Sequence, residues 1–323
     1  MAQASSHRKL IVVLRTLLVM ILGLMALGAG VRTMNAGLSC PDWPLCFGKV
    51  IPDFHPGVWF EFVHRAYAGL VAIVFAGSCA VVLFSRDIPL AAKRASVFGI
   101  FFLFMQIAAG ALTVLWKVKA VAVTSHLMLA TMFFCSVLWM LLSIDPRVKP
   151  SAVAMPSWLK YVAGFFAFGV LMQILMGGIV ASTYAGSVCV DWPLCDGQWV
   201  PTWSGAIGHQ IIHRFIAYTL AISTVIFAVA IQRARAEPWV TRQFLALSRM
   251  AVAVVCLQVC IGIANLVLFI PPWVTVLHQS VAIVLLATFI RIFQVARALG
   301  RVAARERTSA FDALAPHAGG ASG

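Results

Sequence analysis

Four histidines lie in apolar stretches of the chain, and they form two matched pairs. His64 and His213 are 149 positions apart (213 − 64 = 149), and His126 and His278 are 152 apart (278 − 126 = 152). The offset of 149 also separates Cys40-Pro41-Asp42-Trp43-Pro44-Leu45-Cys46 from Cys189-Val190-Asp191-Trp192-Pro193-Leu194-Cys195. Two unrelated loops would not keep both the Asp-Trp-Pro-Leu-Cys string and its distance to a His-Arg pair, so the chain is an internal duplication. A neutral imidazole is a metal ligand, and two of them facing one another across a helical bundle suit the two axial positions of one haem iron. Four residues after each histidine stands an alanine (Ala68, Ala130, Ala217, Ala282), on the same helix face and small enough to leave room for a flat macrocycle. The bland alternative for a lone membrane histidine is a hydrogen-bonded core residue. Its recurrence at four equivalent positions argues against that. A zinc or copper site through His209 and His213 is the other alternative, but His209 faces Phe60 in the repeat alignment and has no counterpart. His7, His55 and His317 fall in loops or tails and are read as solvated.

Glu61 stands one turn before His64, while its counterpart before His213 is the neutral Gln210. A carboxylate inside an apolar helix is expensive, which makes it a functional hypothesis by default. The duplication has diverged in charge beside one proposed ligand only, so the N-terminal pocket is read as the reactive one. The competing role for Glu61 is structural, as a partner of Arg32 or Arg65. Arg65 and Arg214, each next to a histidine, either pair with haem propionates or reach out to the interface. Arg32 poses the same choice between an anion partner and a snorkelling side chain. Cys40 with Cys46, and Cys189 with Cys195, are spaced to close small disulfide rings in an oxidising compartment. They act either as loop staples or as thiol–disulfide couples that exchange electrons. Cys79, Cys135, Cys256 and Cys260 lie in apolar runs and are expected to be small buried hydrophobes.

The elements that hold these residues are membrane helices. Of 323 residues 62% are hydrophobic and 11% charged. Eight apolar runs, near 10–31, 58–84, 96–116, 121–144, 158–182, 206–232, 247–270 and 274–296, each approach the ~20 residues needed to cross a bilayer. Barrel strands are excluded by their length and by the lack of alternation. The expected fold is an all-α membrane protein of eight transmembrane helices in two pseudo-symmetric four-helix bundles. The halves are 1–150 and 151–298, and 299–323 is expected to be a disordered inner tail near anionic lipid. The net charge of +14 is placed at alternating span ends, where 18 of the 24 lysines and arginines gather. That is the signature of cytoplasmic ends and not of a nucleic-acid surface. Both termini are therefore expected inside and both cysteine loops outside. Gln106, Gly110 and Thr113 on the third span repeat as Gln258, Gly262 and Asn265 on the seventh, and read as interhelical hydrogen-bond partners and close-packing sites.

Eight spans, Glu61-x-x-His64-Arg65, a second His213-Arg214, His126 and His278 opening the fourth and eighth spans, and two loop cysteine pairs together resemble the heme A synthase family. The resemblance covers nearly all of the chain except the tail. It implies oxidation of the C8 methyl group of haem O to a formyl group, giving haem A for terminal oxidases. It implies that His64 and His126 hold the substrate haem O, that His213 and His278 hold one permanent haem b, and that Glu61 is the catalytic acid/base. Some members of that family lack one or both cysteine pairs, so the resemblance implies cysteines that help deliver electrons or haem without being essential to the chemistry. Haem O synthase and oxidase assembly factors are the implied partners. A bacterial inner membrane is expected, since no transit peptide is evident.

Two other classes account for part of the pattern. A di-haem cytochrome b that only carries electrons explains the histidines but not the Glu61/Gln210 difference. A membrane thiol oxidoreductase explains the loops and leaves the histidines idle.

Overall fold

The computed structural model describes residues 2–145 and 155–314. Arg147 and Lys149, two of the charges used for topology, and His317 lie outside the described residues. Eight long helices follow one another: α1 Ala2–Thr33, α2 Pro56–Phe84, α3 Leu90–Leu115, α4 Ala120–Ile144, α5 Trp158–Ser182, α6 Gly205–Arg233, α7 Arg242–Val267 and α8 Pro272–Leu314. Each contains a segment long and apolar enough to cross a membrane. No strand occurs among the described residues, only single bridges at Cys46–Lys49 and Cys195–Gln198. The protein is an all-α, multi-pass membrane protein.

Local chemistry sets the helix ends. Pro56 opens α2, where a missing N–H costs nothing. Thr241 caps α7 by accepting a hydrogen bond from the Phe244 amide at 3.1 Å. The reversals after α3 and α7 are tighter than their sequences suggest. Lys117 and Val118, and again Phe269 and Ile270, take left-handed backbone conformations. The Val118 amide reaches back to the Thr113 carbonyl, and the Ile270 amide to that of Asn265, each at 2.7 Å. A β-branched residue in that region is held there by its surroundings. Both turns thus start the return helix at matched places.

Contacts divide the helices into two rings. α1–α2, α2–α3, α3–α4 and α1–α4 touch in the first, and α5–α6, α6–α7, α7–α8 and α5–α8 in the second. The rings meet through α1–α8, α4–α5 and α4–α8. Two hydrogen bonds across this seam have a special form. Arg32 donates to the carbonyl of Ala181 at 2.8 Å, and 181 − 32 = 149. Gln294 donates to the carbonyl of Leu142, and 294 − 142 = 152. In each a residue meets the position that the repeat offset makes its counterpart.

The apolar core fills the end of the bundle away from the cysteine loops. Phe75 packs edge-on against Phe133 at 4.8 Å, and Phe166 stacks on Phe289 at 4.9 Å. Leu14, Leu17, Met140, Ile231 and Ile283 are fully enclosed there. Large side chains such as Phe84, Phe165 and Ile73 face outward, as lipid-facing residues do. The same reason corrects the reading of the free cysteines. Cys79 is buried and Cys135 half-buried, but Cys256 and Cys260 are exposed, because a small apolar side chain on a membrane helix needs no protein cover. The end of the chain also differs from expectation. α8 continues to Leu314, past the position 299 at which disorder was expected. Residues 299–314 are rich in Ala and Arg, strong helix formers that prolong a helix already nucleated in the bundle. Residues 315–323 lie outside the described part.

Candidate active site

The four histidines stand at matched depths. His64 and His213 lie eight residues into α2 and α6 (64 − 56 and 213 − 205), and His126 and His278 six residues into α4 and α8 (126 − 120 and 278 − 272). At ~1.5 Å per residue these are ~12 and ~9 Å below the cysteine end of the bundle. α2 and α4, which carry His64 and His126, belong to the first ring of helices, and α6 and α8, which carry His213 and His278, to the second. Each histidine pair lies within its own half.

A glycine on the neighbouring helix faces every imidazole. A β-carbon at Gly28, Gly110, Gly177 or Gly262 would sit 3.0, 3.1, 3.3 or 3.0 Å from Cε1 of His64, His126, His213 or His278. The glycines thus let the imidazoles lie close against the helix backbones. The sequence reading assigned Gly110 and Gly262 to close packing but missed Gly28 and Gly177, whose offset of 149 was the available signal. Glutamines provide the polar contacts. The Gln106 amide lies 3.2 Å from His126 Nε2, and the Gln258 amide 3.3 Å from His278 Nε2. Asn265 accepts from Thr275 at 2.9 Å, an interhelical bond as expected. Thr113 instead donates to Gly110 on its own helix. Gln173, which the sequence reading overlooked, contacts His213.

These residues fit a bis-histidine haem. His64, His126 and His278 each keep a buried Nδ1 without a hydrogen-bond partner, a costly state for an imidazole that has no further role. Among the described residues no group of three or more His, Cys, Asp or Glu converges on one point. Two ligands suffice for haem iron, whereas a bare zinc site takes three or four. His209 stands 3.5 Å from the Thr183 hydroxyl.

Glu61 is 4% exposed. Its Oε1 meets Arg65 Nη2 at 2.5 Å and its Oε2 accepts the Cys40 amide at 2.9 Å. Arg65 also donates to the carbonyls of Asp42 at 2.8 Å and Leu45 at 2.9 Å. In the second half Arg214 donates to Leu194 at 2.7 Å and Cys189 at 2.8 Å, and the Gln210 carbonyl oxygen is buried without a partner. Both arginines therefore tie a cysteine loop down onto its bundle. Arg32, besides donating to the Ala181 carbonyl, lies 4.5 Å over the Tyr184 ring.

Each loop is closed by a disulfide and by an aspartate. The Cys40–Cys46 and Cys189–Cys195 disulfides are formed, with Cα separations of 4.8 and 4.9 Å, within the ~7 Å limit for a bridge. Asp42 accepts the amides of Phe47 at 2.6 Å and Gly48 at 2.8 Å, and Asp191 those of Asp196 at 3.0 Å and Gly197 at 3.2 Å. The Gly48 amide above all holds the Asp42 carboxyl below its ordinary value, and the Asp196 amide does the same for Asp191. This explains the Asp of the repeated motif, which carries the turn.

Comparison with known proteins agrees with this geometry. Residues 11–290 match the family model described as "Cytochrome oxidase assembly protein". A heme A synthase of Shewanella oneidensis is 28% identical over 313 residues, covering 86% of this chain and 94% of that protein. One from Caulobacter vibrioides is 29% identical over 319 residues, covering 83% of this chain and 90% of its own length.

Proposed function

Because the chain belongs to the cytochrome oxidase assembly protein family, we propose that it is a membrane oxidoreductase that converts haem O to haem A by oxidising the C8 methyl group to a formyl group. The observation that carries this reading is the asymmetry between two otherwise matched histidine pairs: the first has a buried carboxylate one turn from its ligand, and the second has an amide. His64 and His126 hold the substrate haem O, and His213 and His278 hold one permanent haem b. Haem b, when bound, supplies one-electron redox chemistry. The net change, R–CH3 + H2O → R–CHO + 4 e− + 4 H+, requires groups that accept protons and sites that pass electrons on. Glu61 serves the first need. Arg65 and the Cys40 amide fix the direction of its carboxylate, so that it is positioned as a proton acceptor or as a stabiliser of positive charge developing at the methyl carbon. Arg65 and Arg214 add positive charge at the mouth of each pocket, available to propionates as well as to the loop carbonyls.

The two halves, 1–150 and 151–298, divide this labour. The protein lies in a bacterial inner membrane with both termini cytoplasmic and the cysteine loops outside, as the distribution of basic residues supports. Haem O synthase supplies the substrate and oxidase assembly factors receive the product. Extraction of the pigment from purified protein, followed by mass analysis, tests the reading. Haem O or haem A beside haem b is expected. Two equivalents of haem b alone would indicate the di-haem electron carrier, and no haem at all would leave the thiol oxidoreductase.

A further inference from the structure

His213 is the one histidine of the four held by both its ring and its own main chain. The Gln173 amide nitrogen on α5 lies 3.1 Å from His213 Nδ1 and 2.9 Å from the His213 carbonyl oxygen. Forty residues before His64, where the repeat would place the same group, stands Leu24 (173 − 149 = 24). His64 Nδ1 is correspondingly buried and without a partner. On the opposite side of each pocket the halves do not differ, since His126 has Gln106 and His278 has Gln258. The polar support of the rings is therefore unequal at a single place.

We propose that Gln173 is a positioning residue that makes the second pocket retain its haem, and that Leu24 leaves His64 loose enough for the first pocket to exchange its own. This rests on the reading of both histidine pairs as haem ligands. A histidine that gives Nε2 to iron carries its proton on Nδ1, and a partner for that proton fixes the tautomer and the ring orientation. Such partners are worth ~10–100-fold in affinity for the metal group. Gln173 has what is needed. Its amide offers a donor and an acceptor, and its Oε1 is buried with no partner of its own. The amide now donates to the His213 carbonyl, so presenting that oxygen to the Nδ1 proton when haem binds exchanges the main-chain bond for a ring bond. A leucine at position 24 has neither group. The difference matches opposite demands: a substrate pocket must let its product go at each turnover, and a permanent redox centre must not.

The test uses purified full-length protein and apomyoglobin as a haem trap, with release followed optically and low-spin haem by electron paramagnetic resonance. Gln173→Leu is expected to release haem b ~10–100-fold faster than the parent protein and to alter the low-spin signal. Gln173→Glu, which keeps an acceptor oxygen, should restore retention. Leu24→Gln is the gain-of-function arm, since it should slow release from the first pocket without touching the second, and it remains informative if Gln173→Leu does not fold. Parent protein without haem b would overturn the haem reading itself. Parent protein with haem b, and release rates unchanged in both Gln173→Leu and Leu24→Gln, would overturn this proposal alone. Equal leakage from Gln173→Glu and Gln173→Leu would overturn the acceptor role.

Discussion

Replacing Glu61 by glutamine changes one atom in the first pocket and makes it resemble the second. The carboxylate now meets two donors, Arg65 at 2.5 Å and the Cys40 amide at 2.9 Å. A glutamine must turn its NH2 toward one of them, leaving donor against donor. Removing one partner of a buried ion pair typically costs ~3–5 kcal/mol. Two observations place the cost here lower. Arg65 keeps the carbonyls of Asp42 and Leu45. The second half already holds Arg214 on the Leu194 and Cys189 carbonyls above the neutral Gln210. What is lost is close to one unsatisfied buried hydrogen bond, ~1–3 kcal/mol. The variant should therefore fold, keep haem b and bind haem O. Its chemistry should fail, because a positioned acid–base group contributes ~10²–10⁴ in rate, or ~3–5 kcal/mol of barrier. The assay is haem A formed per haem b-containing molecule, in cells that supply haem O, with the pigments separated by chromatography. Accumulated haem O or its hydroxymethyl derivative is expected. Turnover near that of the parent protein would remove Glu61 from the mechanism. A joint fall in yield and haem content, with the surviving molecules fully active, would assign it to the loop alone.

Three further outcomes are expected. His213→Ala or His278→Ala should abolish the low-spin haem b spectrum while His64→Ala or His126→Ala leaves most of it, and equal losses from all four would refute the division between the halves. Cys40→Ala opens a ring so small that loop closure is worth only ~2 kcal/mol; thermal stability and yield should fall more than turnover per folded molecule, and the reverse would make the pair a redox couple. The third concerns pH. The Asp42 carboxyl lies below its ordinary 3.8, so its contribution to the loop is fully present above that value and is lost as pH falls through the lower folded value. Hydrogen exchange at the Phe47 and Gly48 amides should stay slow from neutral pH down to ~4 and quicken only below it, and quickening near pH 6 would contradict the assignment.

Much of this arrangement was legible in the sequence because duplication writes every structural demand twice. The helices follow from apolar length, and the matched depths of the four histidines follow from the repeat. What stayed hidden were contacts that depend on side-chain reach across helices. Gln173 looks like any polar residue in a span until α5 is seen packed against α6. Glu61 could be placed beside His64 but not beneath the Cys40 amide, since that requires the loop to fold back over its own helix. The left-handed Val118 and Ile270 were equally invisible, because β-branched residues ordinarily avoid that conformation and only the packed hairpin imposes it. Arg32 illustrates the same limit, since its partner lies 149 residues away.

That last contact bears on how such a protein could arise. In an ancestral homodimer of four-helix chains, an arginine at position 32 would have faced its own copy, charge against charge, beside the twofold axis. A fused chain has no such restriction. It can put a guanidinium on one side and a bare alanine carbonyl on the other, as Arg32 and Ala181 do. Gln294 meets Leu142 on the same terms at the far end. A homodimer cannot differentiate any position between its copies, and a fusion can. Covalent joining of the two copies would therefore have preceded the divergence that gave one pocket an acid and the other an amide. Separating the chain again at the segment between α4 and α5 should give two halves that recognise each other in preference to themselves.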